Sequence, residues 1–185
     1  MNYKSNYFTT AILLILLLAN SACEEKKEKH KVKNKQEEKS SSDVAQNIKY
    51  TTDPDSPDCD TSLWKHVYDP TRLEVVDKCM TVTGVIEEST ANDDGDQHML
   101  LKLDAGQENL LKKKNTTKKN GDLVIEAVCI NNITNPKVGG TCKGYINHIH
   151  LPKVGDHVQV SGSYVIDTHN SWAEIHPISK IEVVK

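Results

Sequence analysis

Two short segments, Met80-Thr-Val-Thr-Gly-Val-Ile86 and Val158-Gln-Val-Ser-Gly-Ser-Tyr164, repeat one pattern: apolar and polar residues alternate, and a glycine stands inside the run. Alternation with a period of two puts successive side chains on opposite faces of a strand. A glycine within such a strand often marks a bulge or the sharp bend of a small barrel. Two bent strands of this kind constrain the chain towards a small, strongly curved β structure. Turn chemistry fills in the rest. Asn92-Asp-Asp-Gly-Asp96 is a hairpin signal, so Thr81–Glu88 and Gln97–Asp104 are predicted to pair. Ala105–Lys112 is assigned one or two helical turns. Asn120-Gly-Asp122 leads into a buried strand over Leu123–Ile130. Gly155-Asp156 introduces a strand over His157–Ile166, which turns at Asp167–Ser171 into Trp172–His176, and Ile181–Val184 adds a short closing strand.

The segments VTGVIEE (Val82–Glu88), DGDQHMLLKLD (Asp94–Asp104), VGDHVQVSGSYVID (Val154–Asp167) and WAEIHP (Trp172–Pro177) together resemble an OB-fold. The likeness is to the fold in general and to small exported OB-like proteins of uncharacterised function. It implies an all-β domain over residues 59–185, a five-stranded barrel with a short helix. One feature departs from the pattern. OB-folds usually carry their helix between the third and fourth strands, where this chain has the Asn131–Asn147 excursion, while the predicted helix lies between the second and third. A jelly roll or another small sandwich therefore stays open.

Upstream of the domain the chain changes character twice. Lys4, the apolar run Ala11–Ala19 and the ending Asn20-Ser-Ala-Cys23 read as a signal peptide over residues 1–22. The apolar run is far shorter than the roughly 20 residues that span a bilayer as a helix. Its ending resembles a bacterial lipobox, which implies lipidation of Cys23 and a protein tethered to a membrane of the cell envelope. Asn20 stands where that pattern usually has an aliphatic residue, and cleavage by the ordinary signal peptidase is the alternative. From Glu24 the sequence EEKKEKHKVKNKQEEKSSS has almost no large apolar side chains, so it cannot offset the entropy of ordering. Residues 23–58 are expected to form an anchor and a disordered, charged spacer. Some 25 coil residues would reach about 25–30 Å.

The 185-residue chain has a formal net charge of −3, which averages unlike parts. From Thr51 onward there are 14 Lys and Arg against 20 Asp and Glu, so the domain is acidic. Non-specific nucleic-acid binding depends on cations that displace counterions from phosphates, so nucleic acid is not an expected partner. The cluster Lys112-Lys113-Lys114 with Lys118-Lys119 is read as a solvated polar loop. With Cys23 assigned to lipid, Cys59, Cys79, Cys129 and Cys142 remain, an even number in an exported chain, which points to disulfides. Three connectivities are possible, and sequence proximity favours Cys59–Cys79 with Cys129–Cys142. A zinc site is the rival, but no C-x-x-C pair is present.

The candidate chemistry lies in the strands. Alternation puts His98 on the face opposite Met99, Leu101 and Leu103, and groups Trp172, Glu174 and His176 opposite Ala173 and Ile175. Side by side, the two hairpins would bring His98, Glu174 and His176 together, with Asp96 or Asp104 at the rim. Imidazoles with a carboxylate can hold a divalent metal or act as acid and base. The competing reading is a hydrogen-bonded structural cluster with Trp172 packed over it. His148 and His150, at i and i+2, form a second metal candidate beside a reading as two surface histidines. His157 and His169 are read as turn residues. Asp94-Gly-Asp96 superficially resembles a motif of staphylococcal-type nucleases. Those enzymes need arginines for phosphate, and the only arginine, Arg72, lies upstream of the first predicted strand.

No complete catalytic motif is present. The expectation is a membrane-tethered binding module for an unknown envelope ligand or protein, with Trp172, Glu174, His176 and His98 as its surface. No cofactor is expected, though a divalent metal is compatible with the histidines. The alternatives are a metal-dependent hydrolase acting on phosphodiesters through His98, Glu174 and His176, and a purely structural envelope protein.

Overall fold

A computed structural model of the protein describes residues 51–185. The predicted leader, Cys23 and the spacer up to residue 50 lie outside the described residues. Six strands form one sheet: β1 (Thr51–Thr52), β2 (Leu73–Ala91), β3 (Gln97–Leu103), β4 (Leu123–Ala127), β5 (His157–Asp167) and β6 (Trp172–Val183). A single α-helix among the described residues, α1 (Lys113–Lys118), joins β3 to β4. The domain is mostly β, as the alternating runs predict.

The 19-residue β2 organises the sheet. Its first part pairs antiparallel with β5, Leu73 opposite Asp167 through Val85 opposite His157. Its second part pairs with β3, Gly84 opposite Leu103 through Ala91 opposite Gln97. From β3 the pairing passes to β4, then in parallel to β6, then to β5, which returns it to β2. Gly84 sits where β2 serves both partners, and a Cβ there would run into the Lys102 carbonyl. At Gly162 a Cβ would lie 2.7 Å from Ile175 Cγ2 and against the Pro177 carbonyl. Both glycines are thus close-approach positions, where a bulge or bend was expected, and a register shift against β6 does fall at Gly162.

The inward face of the strands supplies a core that includes Val82, Ile86, Met99, Leu101, Ile125 and Ile175. Each such side chain contributes roughly 1.5–3 kcal/mol when fully buried. A second apolar cluster, Leu63, Leu73, Val128 and Val165 among its members, packs on the other face under a 3-10 turn at Thr61–His66. Both proximity-favoured disulfides are present, Cys59–Cys79 with Cα atoms 5.6 Å apart and Cys129–Cys142 with 5.5 Å. The second staples the irregular excursion between β4 and β5.

Several expectations need correction. The helix falls at Lys113–Lys118, after a 3-10 turn at Glu108–Leu110, rather than over Ala105–Lys112. The earlier stretch is pinned by buried Gln107, whose amide bonds the backbone of Thr83 in both directions. The lysine cluster therefore lies on and around α1, not in a loop. Asn115 anchors that helix through bonds to the Ala173 N–H and carbonyl, at 2.8 and 3.0 Å. The two predicted strands around Pro177 are one continuous β6, with a shifted register against β5 near Gly162. Ordered pairing also begins at Thr51, upstream of Cys59.

Candidate functional site

Register alone assembles a polar cluster on the face turned away from the main core. In the antiparallel β3–β4 pair, His98 stands opposite Glu126. In the parallel β4–β6 pair, Ile125 stands opposite Ile175, so the next residues along, Glu126 and His176, are neighbours. Glu174 precedes His176 by two and shares its face. Asp96 closes the β2–β3 turn, and its Oδ1 accepts from the Cys129 N–H at 2.9 Å. Arg72, just before β2, is ion-paired to Asp167 at the end of β5 and lies 4.0 Å from Glu126.

His176 is the hub. Its Nδ1 lies 3.0 Å from Glu126 Oε2 and 3.2 Å from Glu174 Oε2. Its Nε2 faces Asp96 Oδ2 at 3.8 Å, too far for a hydrogen bond, and both atoms are buried without a hydrogen-bond partner. The exposures of Asp96, Glu126, Glu174 and His176 are 2%, 5%, 1% and 1%. Trp172 donates its indole N–H to Glu174, and Lys119 Nζ lies 4.2 Å above the indole ring while bonding His98 at 3.1 Å.

This setting moves the titrations apart. Burial raises the Glu126 carboxyl, but the charge and hydrogen bond of His176, with His98 and Arg72, outweigh it and hold Glu126 below the usual carboxylate range. Burial lowers His176, and Glu126 and Glu174 more than reverse that, so the imidazole titrates well above its ordinary value. Asp96 is pushed up to about 7, by burial first and by Asp94 and Glu126, against the opposing pull of His176. His98 is lowered by burial, with Lys119 adding and Glu126 opposing.

Of the predicted residues, Glu174 and His176 meet directly, and Trp172 and His98 flank them. Three points are corrected. Glu174 and His176 are sealed from solvent, so they do not form an open binding face. Asp104 lies at the far end of β3, bonded to Thr83 and His157, whereas Asp96 belongs to the interior of the cluster rather than its rim. His157 opens β5 instead of occupying a turn, and His169 is a turn residue as read. His148 and His150 are exposed on the irregular excursion. Sequence reading missed Glu126, Arg72 and Asp167. A lone acid inside the apolar run Leu123-Val-Ile-Glu-Ala-Val was the available signal for Glu126.

Beside the cluster lies a surface cleft of about 560 Å³ edged by Lys114, Lys118, Lys119, Asn170 and Trp172. The sequence matches no protein-family model and no curated protein.

Proposed function

We propose that this is an exported lipoprotein, anchored through Cys23 and held off the membrane by its charged spacer, whose domain is an OB-like barrel serving as an envelope binding module. The return of the pairing path to β2, and the parallel β4–β6 contact, support a barrel over a sandwich. The two disulfides suit an oxidising compartment. The binding surface is the Trp172 cleft rather than the wider Trp172, Glu174 and His176 face.

One observation carries this reading. Trp172 is half-buried and fixed from below by Glu174, and it stands among lysines on a domain whose balance is acidic. A fixed aromatic with cations around it suits an anionic ligand that has a flat or sugar-like face. A hydrolase working through His98, Glu174 and His176 would need those groups open to substrate. Glu174 and His176 are buried, which disfavours that alternative.

The test uses fluorescence. The chain has two tryptophans, so Trp64→Phe leaves Trp172 as the sole reporter. Titration with a uronic-acid oligosaccharide, a sugar phosphate and pyrophosphate should shift or quench it, and Lys119→Ala should weaken the effect about tenfold, a loss of roughly 1.4 kcal/mol. Unchanged emission with every anionic probe would overturn the assignment of the cleft.

A further inference from the structure

We propose that the protein holds one divalent transition-metal cation between Asp96, Glu126 and His176, as a structural centre that fastens the β2–β3 turn to β4 and β6. The three residues come from three separate elements, and each offers a donor atom within 4.8 Å of the others. The independent pointer is the pair of buried, unpartnered atoms, Asp96 Oδ2 and His176 Nε2, that face each other. With its second proton released, the imidazole presents the Nε2 lone pair to the Asp96 carboxylate oxygen, and a divalent cation replacing that proton is shared by the two. Their 3.8 Å separation suits two bonds of about 2.0–2.2 Å to one ion.

The surroundings orient the donors as metal sites do. Glu174 Oε2 takes the hydrogen bond of His176 Nδ1 at 3.2 Å, so that nitrogen donates and Nε2 is left as the ligand nitrogen. The Cys129 N–H occupies Asp96 Oδ1 and leaves Oδ2 for the ion. Charge agrees. Arg72 bonds Asp167 and lies 4.0 Å from Glu126, and the carboxylates Asp96, Glu126, Glu174 and Asp167 outnumber the cations Arg72 and His176 among them. A divalent ion neutralises the excess that the interior otherwise carries. One nitrogen with carboxylate oxygens selects zinc, manganese or a similar borderline ion over a soft one.

His98 and Glu174 are neighbours of this centre rather than its ligands. Cys129 and Cys142 also approach Asp96, but their sulfurs are joined to each other. The centre is independent of whatever occupies the Trp172 cleft.

The whole chain, purified without a histidine tag, is stripped with EDTA and titrated with Zn²⁺ and with Mn²⁺ under non-reducing conditions. One equivalent should bind with a rise in melting temperature, and X-ray absorption of the loaded wild type should show one imidazole among oxygen donors and no sulfur. Asp96→Asn and His176→Gln should lose the stoichiometric ion, while the double variant His148→Ala/His150→Ala keeps it. A wild-type chain whose melting temperature ignores both metals would overturn the proposal. So would a sulfur shell, or an ion retained in Asp96→Asn and lost with His148 and His150.

Discussion

An aspartate flanks β3 at each end, and each faces a histidine, yet the two pairs are opposites. Asp104 meets His157 at 2.9 Å, with side chains 35% and 42% exposed, and takes a further bond from Thr83. Asp96 faces His176 at 3.8 Å in the interior, with its Oδ2 unpartnered. Water can solvate the first pair whatever its geometry, so its contacts add little. The second pair has no such recourse. An unmet buried charge costs several kcal/mol, and a fold that keeps one in place does so because something else satisfies it. The same two residue types thus mean a surface contact at one end of a strand and a ligand set at the other.

The sharpest way to break this contrast is to remove a charge from each end. Glu126→Gln takes away the partner of the His176 imidazole and should lower stability by about 3–5 kcal/mol in denaturant titrations. Comparable losses from Glu126→Gln and Asp104→Asn would erase the distinction. Next in size is the Cys129–Cys142 staple, whose cysteines lie 13 positions apart and which places the N–H that holds Asp96. Replacing both cysteines by serine should cost about 3 kcal/mol and weaken metal binding. Removing Cys59–Cys79 should destabilise the fold while leaving the metal stoichiometry alone.

A third contrast is in pH. Asp96 faces Asp94 from its own turn, Glu126 from β4, His176 from β6 and the Cys129 N–H, and its carboxyl is raised from 3.8 to about 7. A folded-state value above the unfolded one means that the proton stabilises the folded chain. That contribution is full below 3.8 and is lost as pH rises through about 7. The metal-stripped protein should therefore lose roughly 2.5 kcal/mol between pH 5 and 8 from this group. Asp96→Asn should flatten the slope, and Asp104→Asn should leave it in place. The smallest expected effect is Asp104→Asn itself, within about 1 kcal/mol and reduced further by salt.

What could be read from the sequence follows the same division between local and long-range causes. Gly84 and Gly162 stood out because a glycine inside a strand has few ordinary uses, though the bends they suggested are close backbone approaches, and the Asn92–Asp96 turn announced its hairpin. The cysteine pairs were legible because each closes a short loop. Alternation found His98, Trp172, Glu174 and His176, since faces are a local property. It could not find Glu126, which hides in an apolar run, because its nearest partner, His176, is brought to it only by the parallel pairing of β4 with β6. Arg72 was set aside because β2 was expected to start at Thr81. After buried Leu73, its first residues are charged or, like Val75 and Val76, exposed at 44% and 56%, and they carry no inward alternation. Burial of the cluster was equally invisible, since it is made by a turn and a stapled loop that have no periodic signal.

Anomalous diffraction at the metal edge from crystals of the zinc-loaded protein distinguishes a ligand set from a stray contact at the buried pair. One peak is expected, about 2 Å from both Asp96 Oδ2 and His176 Nε2. A map with no peak there, or with its only peak at His148 and His150, would contradict it.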